Sequence, residues 1–412
     1  MKVLHITQNY YPSFGGTQYM MKHVSEHLHS EYNDDVTVFT TNSLYGPNNS
    51  TYKEIKEKES LINGITIKRF PFVKVHKPLV KFASKTSMRL SGKGLPEMIS
   101  TLSIGPFSAS MKQAILETQA DVICASSVHY RFADYGLYRR QTINQKPFVL
   151  YGALHLETTD VPKTFINRIK AADHYIANTD YEKEFLVKQG ISDTRITVAG
   201  CATDIINEDS LVTSNENIKK ELNLPSNKHT ILCISRHEAF KGLPVLVDAF
   251  IALQKNTSDV CLVIAGATGT YTNTLKQQER ENNNIFIFTD ISNETKCRLL
   301  HIADVVVLPS TEESFGVVFL EAWSFKKPVI GARIGAIKSL ISENKDGCLF
   351  EPNNVSDLAG CIKQMLNDDE KCRQMGENGF KKVQQYYTWN KITATFRSAY
   401  LKAIEYFNQQ KN

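Results

Sequence analysis

Two glutamates, Glu313 and Glu321, flank the start of a predicted helix whose first residues could bind phosphate. The apolar run 304–308 lacks helical spacing and predicts a buried parallel strand leading into this helix. We expect Ser314 to cap the helix and Gly316 to let the backbone come close to a ligand. The unpaired N–H groups of a helix N-terminus attract phosphate, and carboxylates accept hydrogen bonds from hydroxyl groups.

This pattern suits a ligand that carries a diphosphate in its middle and hydroxyl-rich groups at both ends, which is a nucleotide sugar. The alternative is that Glu313 and Glu321 only favour the N-terminal half of a helix through its macrodipole. The two residues by themselves leave both interpretations open.

Two cations stand near the end of another predicted strand. Arg236 ends the first strand of the second half of the chain, and Lys241 follows it in the next loop. An arginine can make paired hydrogen bonds to a diphosphate and a lysine adds a point charge, although either residue alone could be a surface cation. Gly266 ends the next predicted strand and is expected near the nucleotide. The loop after Gly266 lacks the G-K-[ST] of a Walker loop.

Two features of the first half could belong to a site or could be purely structural. Gly15 and Gly16 follow the first predicted strand, where they could admit a ligand or form a plain tight turn, and no G-x-G-x-x-G is present. His155 ends another strand, and a lone histidine there is more often a structural hydrogen-bonding residue than a catalyst.

The motifs together resemble a known family. The run E-S-F-G-x3-L-E-A from Glu313, with the upstream pair Arg236 and Lys241-Gly242, resembles the retaining glycosyltransferases of family 4. The resemblance covers nearly the whole chain and is strongest over residues 231–350. It implies the α/β GT-B fold: two Rossmann-like parallel-sheet domains facing across a cleft, with a C-terminal helix that crosses back to the first domain.

The resemblance also implies residue roles. Arg236 and Lys241 would stabilise the departing diphosphate, Glu313 would hold donor-sugar hydroxyls, and Glu321 would hold the ribose. The expected catalytic residues are His155, Arg236, Lys241 and Glu313. The expected donor-binding residues are Gly15, Gly16, Arg236, Lys241, Gly266, Ser314, Phe315, Gly316, Val317 and Glu321.

One departure from the family concerns its H-x-H motif. Here the corresponding residues are Cys124 and Ser126, so that contribution to the acceptor side is missing or replaced, and His129 is a weak substitute.

Strand-like runs alternate with helical stretches along both halves, which indicates βαβ units and two parallel sheets. The break is expected at the polar stretch 206–222. The predicted domains are an N-terminal acceptor-binding domain, 1–205 with the helix 388–412, and a C-terminal nucleotide-sugar domain, 206–387.

Composition excludes several classes. The 412 residues are 42% hydrophobic and 22% charged with a net charge of +5, which is too mildly basic to indicate nucleic acid. The eight cysteines form no C-x2-C pair, so buried reduced thiols and a cytoplasmic location are expected. No apolar stretch approaches the ~18 residues of a membrane span. No metal or other cofactor is expected, because cations and amides already balance the phosphates.

Eight basic residues lie within 68–93, interleaved with apolar ones and without an acid between Ser60 and Pro96. Such a segment could bind the anionic inner face of a membrane and admit a lipid-linked acceptor. The alternative is a solvated basic face over a buried apolar one.

The sequence therefore predicts transfer of a sugar from a UDP- or GDP-sugar to a glycan or lipid-linked acceptor, with retention. A nucleotide-sugar epimerase or a phosphorylase on the same scaffold is a second possibility, since fold does not fix function. A non-catalytic nucleotide-sugar-binding subunit is a third.

Overall fold

The chain divides into two compact units in the computed structural model, which describes residues 1–13, 15–44, 53–72, 86, 107–128, 131–141, 145–157, 161–205 and 214–411. Unit 1 comprises Met1–Leu154, Asp160–Ala199 and Ile392–Asn412, and unit 2 comprises His155–Thr159 and Gly200–Lys391. The divisions thus fall at Gly200 and Ile392, where the sequence suggested 206 and 388. No feature of the sequence indicated that the short segment after Leu154 groups with unit 2.

Unit 1 is built on a largely parallel sheet in the order β10-β9-β8-β7-β1-β2-β6-β5, with β5 antiparallel to β6. The strands of unit 1, including the separate pair β3 and β4, are β1 Lys2–Ile6, β2 Asp35–Thr41, β3 Ser43–Leu44, β4 Lys53–Glu54, β5 Glu59–Ile62, β6 Ile65–Phe70, β7 Val122–Ser126, β8 Phe148–Tyr151, β9 His174–Ala177 and β10 Ile196–Val198. Its helices are α1 Gly16–Tyr32, α2 Ala109–Glu117, α3 Phe132–Gln141, α4 Lys163–Ala171 and α5 Asp180–Lys188.

Unit 2 is built on a parallel sheet in the order β13-β12-β11-β14-β15-β16. Its strands are β11 His229–Ile234, β12 Val260–Gly266, β13 Ile285–Thr289, β14 Val305–Leu308, β15 Val329–Ala332 and β16 Gly347–Phe350. Its helices are α6 Asn215–Glu221, α7 Leu243–Gln254, α8 Thr272–Glu281, α9 Asn293–Ile302, α10 Val317–Ser324, α11 Gly335–Leu340, α12 Val355–Leu366 and α13 Asp369–Tyr386. This order is that of a doubly wound Rossmann sheet, which confirms the predicted fold class.

The central strands read as continuous apolar runs because helices cover both faces of each sheet. Every residue of β8, β9 and β14 is buried. The alternating pattern of β6, by contrast, fits a strand near the sheet edge with one covered face.

The last helix, α14 Trp389–Gln409, belongs to unit 1 from Ile392 onward, which confirms its predicted return to the first domain. The buried imidazole of His5 joins Ser25 Oγ at 2.7 Å to Tyr400 Oη at 2.9 Å. Burial lowers the pKa of His5 to about 3, so the ring is neutral and adds no charge to this contact. Arg397 also donates to Asp34 at 3.0 Å.

Among the helices that the structure describes, none is long and apolar enough to cross a bilayer. The basic segment proposed for membrane binding lies mostly outside the described residues. Of its cations, Lys68 and Arg69 are described, and both lie in β6. Arg69 is buried and donates to Ser60 Oγ at 2.7 Å, so it belongs to the core of unit 1.

A buried carboxylate, Glu182, ties α5 to the end of β8. It accepts hydrogen bonds from Tyr175 Oη at 2.5 Å, the Asn178 amide at 2.7 Å and the Leu154 amide at 3.3 Å. Burial raises its pKa from 4.5 to about 7, and these donors only partly oppose that rise.

Replacing Glu182 should flatten the pH dependence of stability. Since its folded pKa is raised, its contribution is fully present below about pH 4.5 and is lost as pH rises through about 7. The loss amounts to about 3 kcal/mol, since one pKa unit corresponds to about 1.4 kcal/mol. We expect the difference in unfolding free energy between wild type and Glu182→Gln to shrink by this amount from pH 4.5 to 8, measured by urea titration. The exposed Glu184 on the same helix, changed to Gln, is the control. A constant difference would contradict the prediction.

Candidate active site

The candidate site of unit 2 lies where β11 and β14 run side by side, with Ile231 opposite Val305 and Leu232 opposite Val306. Strand order reverses between these two strands, so the loops that follow them leave the sheet in a shared crevice. The β11 loop contains Arg236 and Lys241, and the β14 loop contains Glu313 and Ser314.

An ion pair joins the two loops. Lys241 Nζ donates to Glu313 Oε1 at 2.6 Å and to the Glu312 carbonyl at 3.3 Å. Both partners of the pair are more than four-fifths buried, with side-chain exposures of 18% and 15%. The structure therefore brings together two predicted site residues that lie far apart in sequence.

The main chain holds the same two loops together. Gly242 adopts φ +74°, and a Cβ there would lie 2.0 Å from the Pro309 carbonyl oxygen. Lys241 ends a short 3-10 turn, Ala239–Lys241, and Gly242 caps α7 directly after it. Only glycine fits both the positive φ and the close approach, so Gly242 fixes where the Lys241 side chain starts.

Arg236 offers a second cation at the end of β11. Its side chain is exposed, and its guanidinium group has no ion pair or hydrogen bond to another described residue. The site thus has one cation already balanced by a carboxylate, Lys241, and one cation available to an anion, Arg236.

Helix α10 begins at Val317, and its cap is Gly316 at φ +94°, with no side-chain hydrogen bond to the first turn. The predicted cap at Ser314 is therefore wrong, because the left-handed turn at Gly316 starts the helix two residues later. Phe315 is buried against the Tyr387 ring, with centroids 5.7 Å apart, so only its main chain can face a ligand. Amides without a side-chain cap at a helix N-terminus suit an anion.

Glu321 forms an ion pair that the sequence did not predict. Lys296 Nζ, on α9, donates to Glu321 Oε1 at 2.5 Å. No spacing rule joins α9 to α10, since β14 separates them in sequence. Glu321 is therefore held in one place on the helix surface before any ligand is considered.

A third loop, after β12, packs on the first. Gly266 has φ +156°, and a Cβ there would lie 1.9 Å from the Ser235 carbonyl oxygen. Two main-chain hydrogen bonds also join the loops: the His237 amide donates to the Ala267 carbonyl at 2.9 Å, and the His237 carbonyl accepts from the Tyr271 amide at 2.9 Å. Gly266 thus adjoins the β11 loop, and its expected place near the nucleotide stays a prediction. The sequence analysis missed His237, which is buried, has no described partner for Nε2, and has its pKa lowered by burial.

In unit 1, the backbone requires a glycine at the first of the two positions after β1, Gly15, and not at the second, Gly16. Gly15 caps α1 with φ 155° and ψ 155°, a region that glycine alone adopts readily. Gly16 is the first helical residue, and a Cβ there would have no atom within 4 Å. Gly15 is therefore required by the backbone, and the space beside Gly16 is open.

Cys124 and Ser126, which replace the family's H-x-H, lie in β7 and are buried. Burial raises the pKa of Cys124 to about 12, so its thiol stays neutral. The suggested substitute, His129, lies outside the described residues.

His155 is exposed and follows a strained residue, because Ala153 has φ +85°. Nearby, the amides of Gly335 and Ala336 face the carboxylate of Glu157, whose pKa is raised by burial. This contact places the segment that begins at His155 against unit 2. The positive φ at Ala153 has no signature in the sequence.

No group of three or more metal-ligating side chains gathers closely enough to hold an ion in the part of the chain that the structure describes.

Most of unit 2 matches the model of a known protein family. Residues 214–382 match the model of the family described as glycosyl transferases group 1. We refer to residues 214–382 as the group 1 domain, after the family whose model they match. The group 1 domain lies within unit 2 and contains Arg236, Lys241, Glu313 and Glu321.

The similarity to curated proteins extends over more of the chain than the group 1 domain. The D-inositol 3-phosphate glycosyltransferase of Corynebacterium aurimucosum is 26% identical over 269 residues, which cover 61% of this chain and 63% of that protein. The chain therefore spans somewhat less than two thirds of the length of the curated relatives that it matches first.

Solved structures match nearly the whole chain. A glycosyltransferase from Rickettsia africae superposes with a TM-score of 0.73 at 18% identity, covering 98% of each chain. The Anabaena protein Alr3699/HepE in complex with UDP-glucose superposes with a TM-score of 0.70 at 20% identity, covering 97% of this chain and 100% of the other. At such identities the likeness shows the fold alone, which is the predicted GT-B fold with its two Rossmann-like units.

Gly242→Ala should destabilise the group 1 domain. The added Cβ would meet the Pro309 carbonyl and force a positive φ on alanine, so we expect a loss of roughly 3 kcal/mol in unfolding free energy. Gly360→Ala, inside α12 with nothing within 4 Å of its Cβ, is the matched control and should gain up to about 1 kcal/mol. Calorimetry of both variants checks this, and equal stability of the two would refute the role of Gly242.

Proposed function

We propose that this protein is a retaining glycosyltransferase of family 4. It transfers a sugar from a nucleoside diphosphate donor to a glycan or lipid-linked acceptor. The observation that carries the proposal is the Lys241–Glu313 ion pair at the strand-order reversal of the group 1 domain, with Arg236 at the start of the same β11 loop as Lys241. The family match and the named relatives support a transferase.

The leaving group is a nucleoside diphosphate, and its negative charge grows as the bond to the sugar breaks. Arg236 is available to an anion, and Lys241 can exchange its ion pair with Glu313 for a phosphate oxygen. The amides after Gly316 add further donors. Stabilising charge that develops on a leaving group is usually a large part of catalysis.

The exchange also frees the second partner of the ion pair. When a phosphate takes Lys241, the Glu313 carboxylate is released to accept hydrogen bonds from donor-sugar hydroxyls. The paired state thus keeps both groups satisfied in the absence of the donor. Glu321, oriented by Lys296, would accept hydrogen bonds from the ribose.

Gly15 and Gly16 would lie against the diphosphate and His155 would meet the donor sugar, as the resemblance implies. Retention would follow from attack by the acceptor on the face that the diphosphate leaves. No side chain of the chain is assigned as a nucleophile.

The donor is a UDP- or GDP-sugar, and UDP is favoured because the Anabaena structures hold UDP and UDP-glucose. Donor choice is tested by the thermal shift that each nucleotide sugar of a panel produces, since a bound ligand raises stability by mass action. The acceptor is a glycan or a lipid-linked sugar, while the Corynebacterium relative is named for inositol 3-phosphate.

Lys241→Ala and Glu321→Ala should each lower turnover of the preferred donor by about 100-fold or more, the scale of one lost transition-state contact. Lys363→Ala, an exposed lysine on α12, is the matched control and should retain full activity. Steady-state rates decide the matter, and near-normal rates for either site variant would remove that residue from the proposal.

Transfer should not require a divalent metal, because Arg236 and Lys241 supply the positive charge that the diphosphate needs. Activity is therefore expected to persist in EDTA at its value without the chelator. Abolished activity that Mg²⁺ or Mn²⁺ restores would count against the proposed roles of the two cations.

We further propose a cytoplasmic protein that binds the inner membrane face through the basic segment 68–93. Each cation near an anionic surface contributes about 1 kcal/mol. Changing Lys77, Lys81, Lys85 and Arg89 to Glu should therefore abolish sedimentation with anionic liposomes while neutral liposomes bind neither form. Equal binding of wild type and variant would contradict this part of the proposal.

Product analysis and absorbance spectroscopy distinguish the proposed transferase from the three alternative functions. A non-catalytic subunit would bind the donor without consuming it, an epimerase would release an isomeric nucleotide sugar, and a pyridoxal-dependent phosphorylase would show a cofactor absorbance band. Release of free nucleoside diphosphate together with a glycosylated acceptor excludes all three.

A further inference from the structure

Unit 2 contains a pair of cysteines that the candidate active site does not use. Cys348 lies in the edge strand β16 and Cys361 lies on α12, which packs on that strand. Their sulfur atoms are 2.8 Å apart, and both side chains are 8% exposed. Two sulfurs so close need little movement to form a bond.

One member of the pair, Cys348, borders a small crevice. Cys348 lines it together with Met365, Lys371 and Cys372. The hydrogen bond between Cys348 and Cys361 lowers the pKa of the Cys348 thiol, and the charge of Lys371 acts in the same direction. The thiolate is the form that attacks an oxidant, so Cys348 is the reactive member of the pair.

Cys372 lines the same crevice without joining the pair. Its thiol donates to the Met365 carbonyl, with the sulfur 3.0 Å from the oxygen. Burial raises its pKa to about 11. It therefore serves as a matched control for the reactivity of a cysteine at this crevice.

We propose that Cys348 and Cys361 form a reversible modification site, in which hydrogen peroxide converts the two thiols into an intramolecular disulfide. The Cys348 thiolate attacks one peroxide oxygen, the O–O bond breaks, and hydroxide leaves to give a sulfenic acid. The Cys361 sulfur then attacks the Cys348 sulfur and displaces a second hydroxide, which is protonated. Two thiols and one peroxide thus become one disulfide and two waters, and a dithiol reductant reverses the change.

The bond would fasten β16 to α12. Helix α12 in turn packs against α7, the helix that begins at Gly242. The disulfide would therefore restrain the layer of unit 2 that includes α7, the helix directly after the β11 loop. It would also close a short chain segment, residues 348–361. Such a cross-link stabilises a protein mainly by limiting its unfolded states.

Mass spectrometry tests the proposal directly. No lysine or arginine lies between Asp346 and Ile362, so trypsin leaves both cysteines in one peptide, 346–363, and places Cys372 in another. The reduced wild-type protein is treated with hydrogen peroxide, its free thiols are alkylated, and it is digested. We expect peptide 346–363 to be lighter by two hydrogens and free of alkylation, and to regain two alkyl groups after dithiothreitol.

Variants and heat stability complete the test. Cys372→Ser should still form the modified peptide and Cys361→Ser should not. Peroxide should raise the melting temperature of wild type and of Cys372→Ser by roughly 5 °C and leave that of Cys361→Ser unchanged. Two alkylated thiols after peroxide, a cross-link between Cys348 and Cys372, or a sulfinic acid at Cys348 would each overturn the proposal. The wild-type digest decides the question even if Cys361→Ser does not fold.

Discussion

The site of the group 1 domain depends on one backbone contact, the approach of Gly242 to the Pro309 carbonyl. The Lys241–Glu313 ion pair crosses the same gap, but the cost of removing two largely buried charges from water offsets most of their attraction. The main chain therefore fixes the two loops, and the ion pair sets the charges within them. This division matters for the proposed chemistry, because a diphosphate can compete for Lys241 without loosening the loops that carry it.

Apolar runs were enough to predict most of both sheets. Strand β14 lies within the predicted apolar run 304–308 and β12 ends at Gly266 as predicted, since helices cover both faces of these central strands and leave a continuous apolar signature. The sequence analysis missed β5, because its residues alternate between exposed and half-buried and carry two polar side chains. A signal was present in Asn63-Gly64, whose φ values of 50° and 80° form the tight hairpin turn that this dipeptide favours.

Side-chain partners were much harder to predict than strands. The loops containing Arg236, Lys241, Glu313 and Gly316 follow from strand order, but the pairing of Lys241 with Glu313 and of Lys296 with Glu321 depends on distances across the sheet that no spacing encodes. The cap of α10 was misplaced because Ser314 has the preferred chemistry, whereas the positive φ of Gly316 decided where the helix begins. Residue propensity thus favoured a cap at Ser314, whereas the backbone conformation of Gly316 determines the residue at which α10 begins.

The strained turn at Ala153 has a consequence for the loop that leads to His155. An alanine at φ +85° costs roughly 1 kcal/mol or more relative to glycine, which would adopt that angle freely. A glycine at this position would avoid that strain, but it would also allow the residues that follow a wider range of backbone conformations. The methyl group of Ala153 thus restricts the backbone conformations open to the residues that lead to the exposed imidazole of His155. Rigidity in this segment is a property of the bend itself.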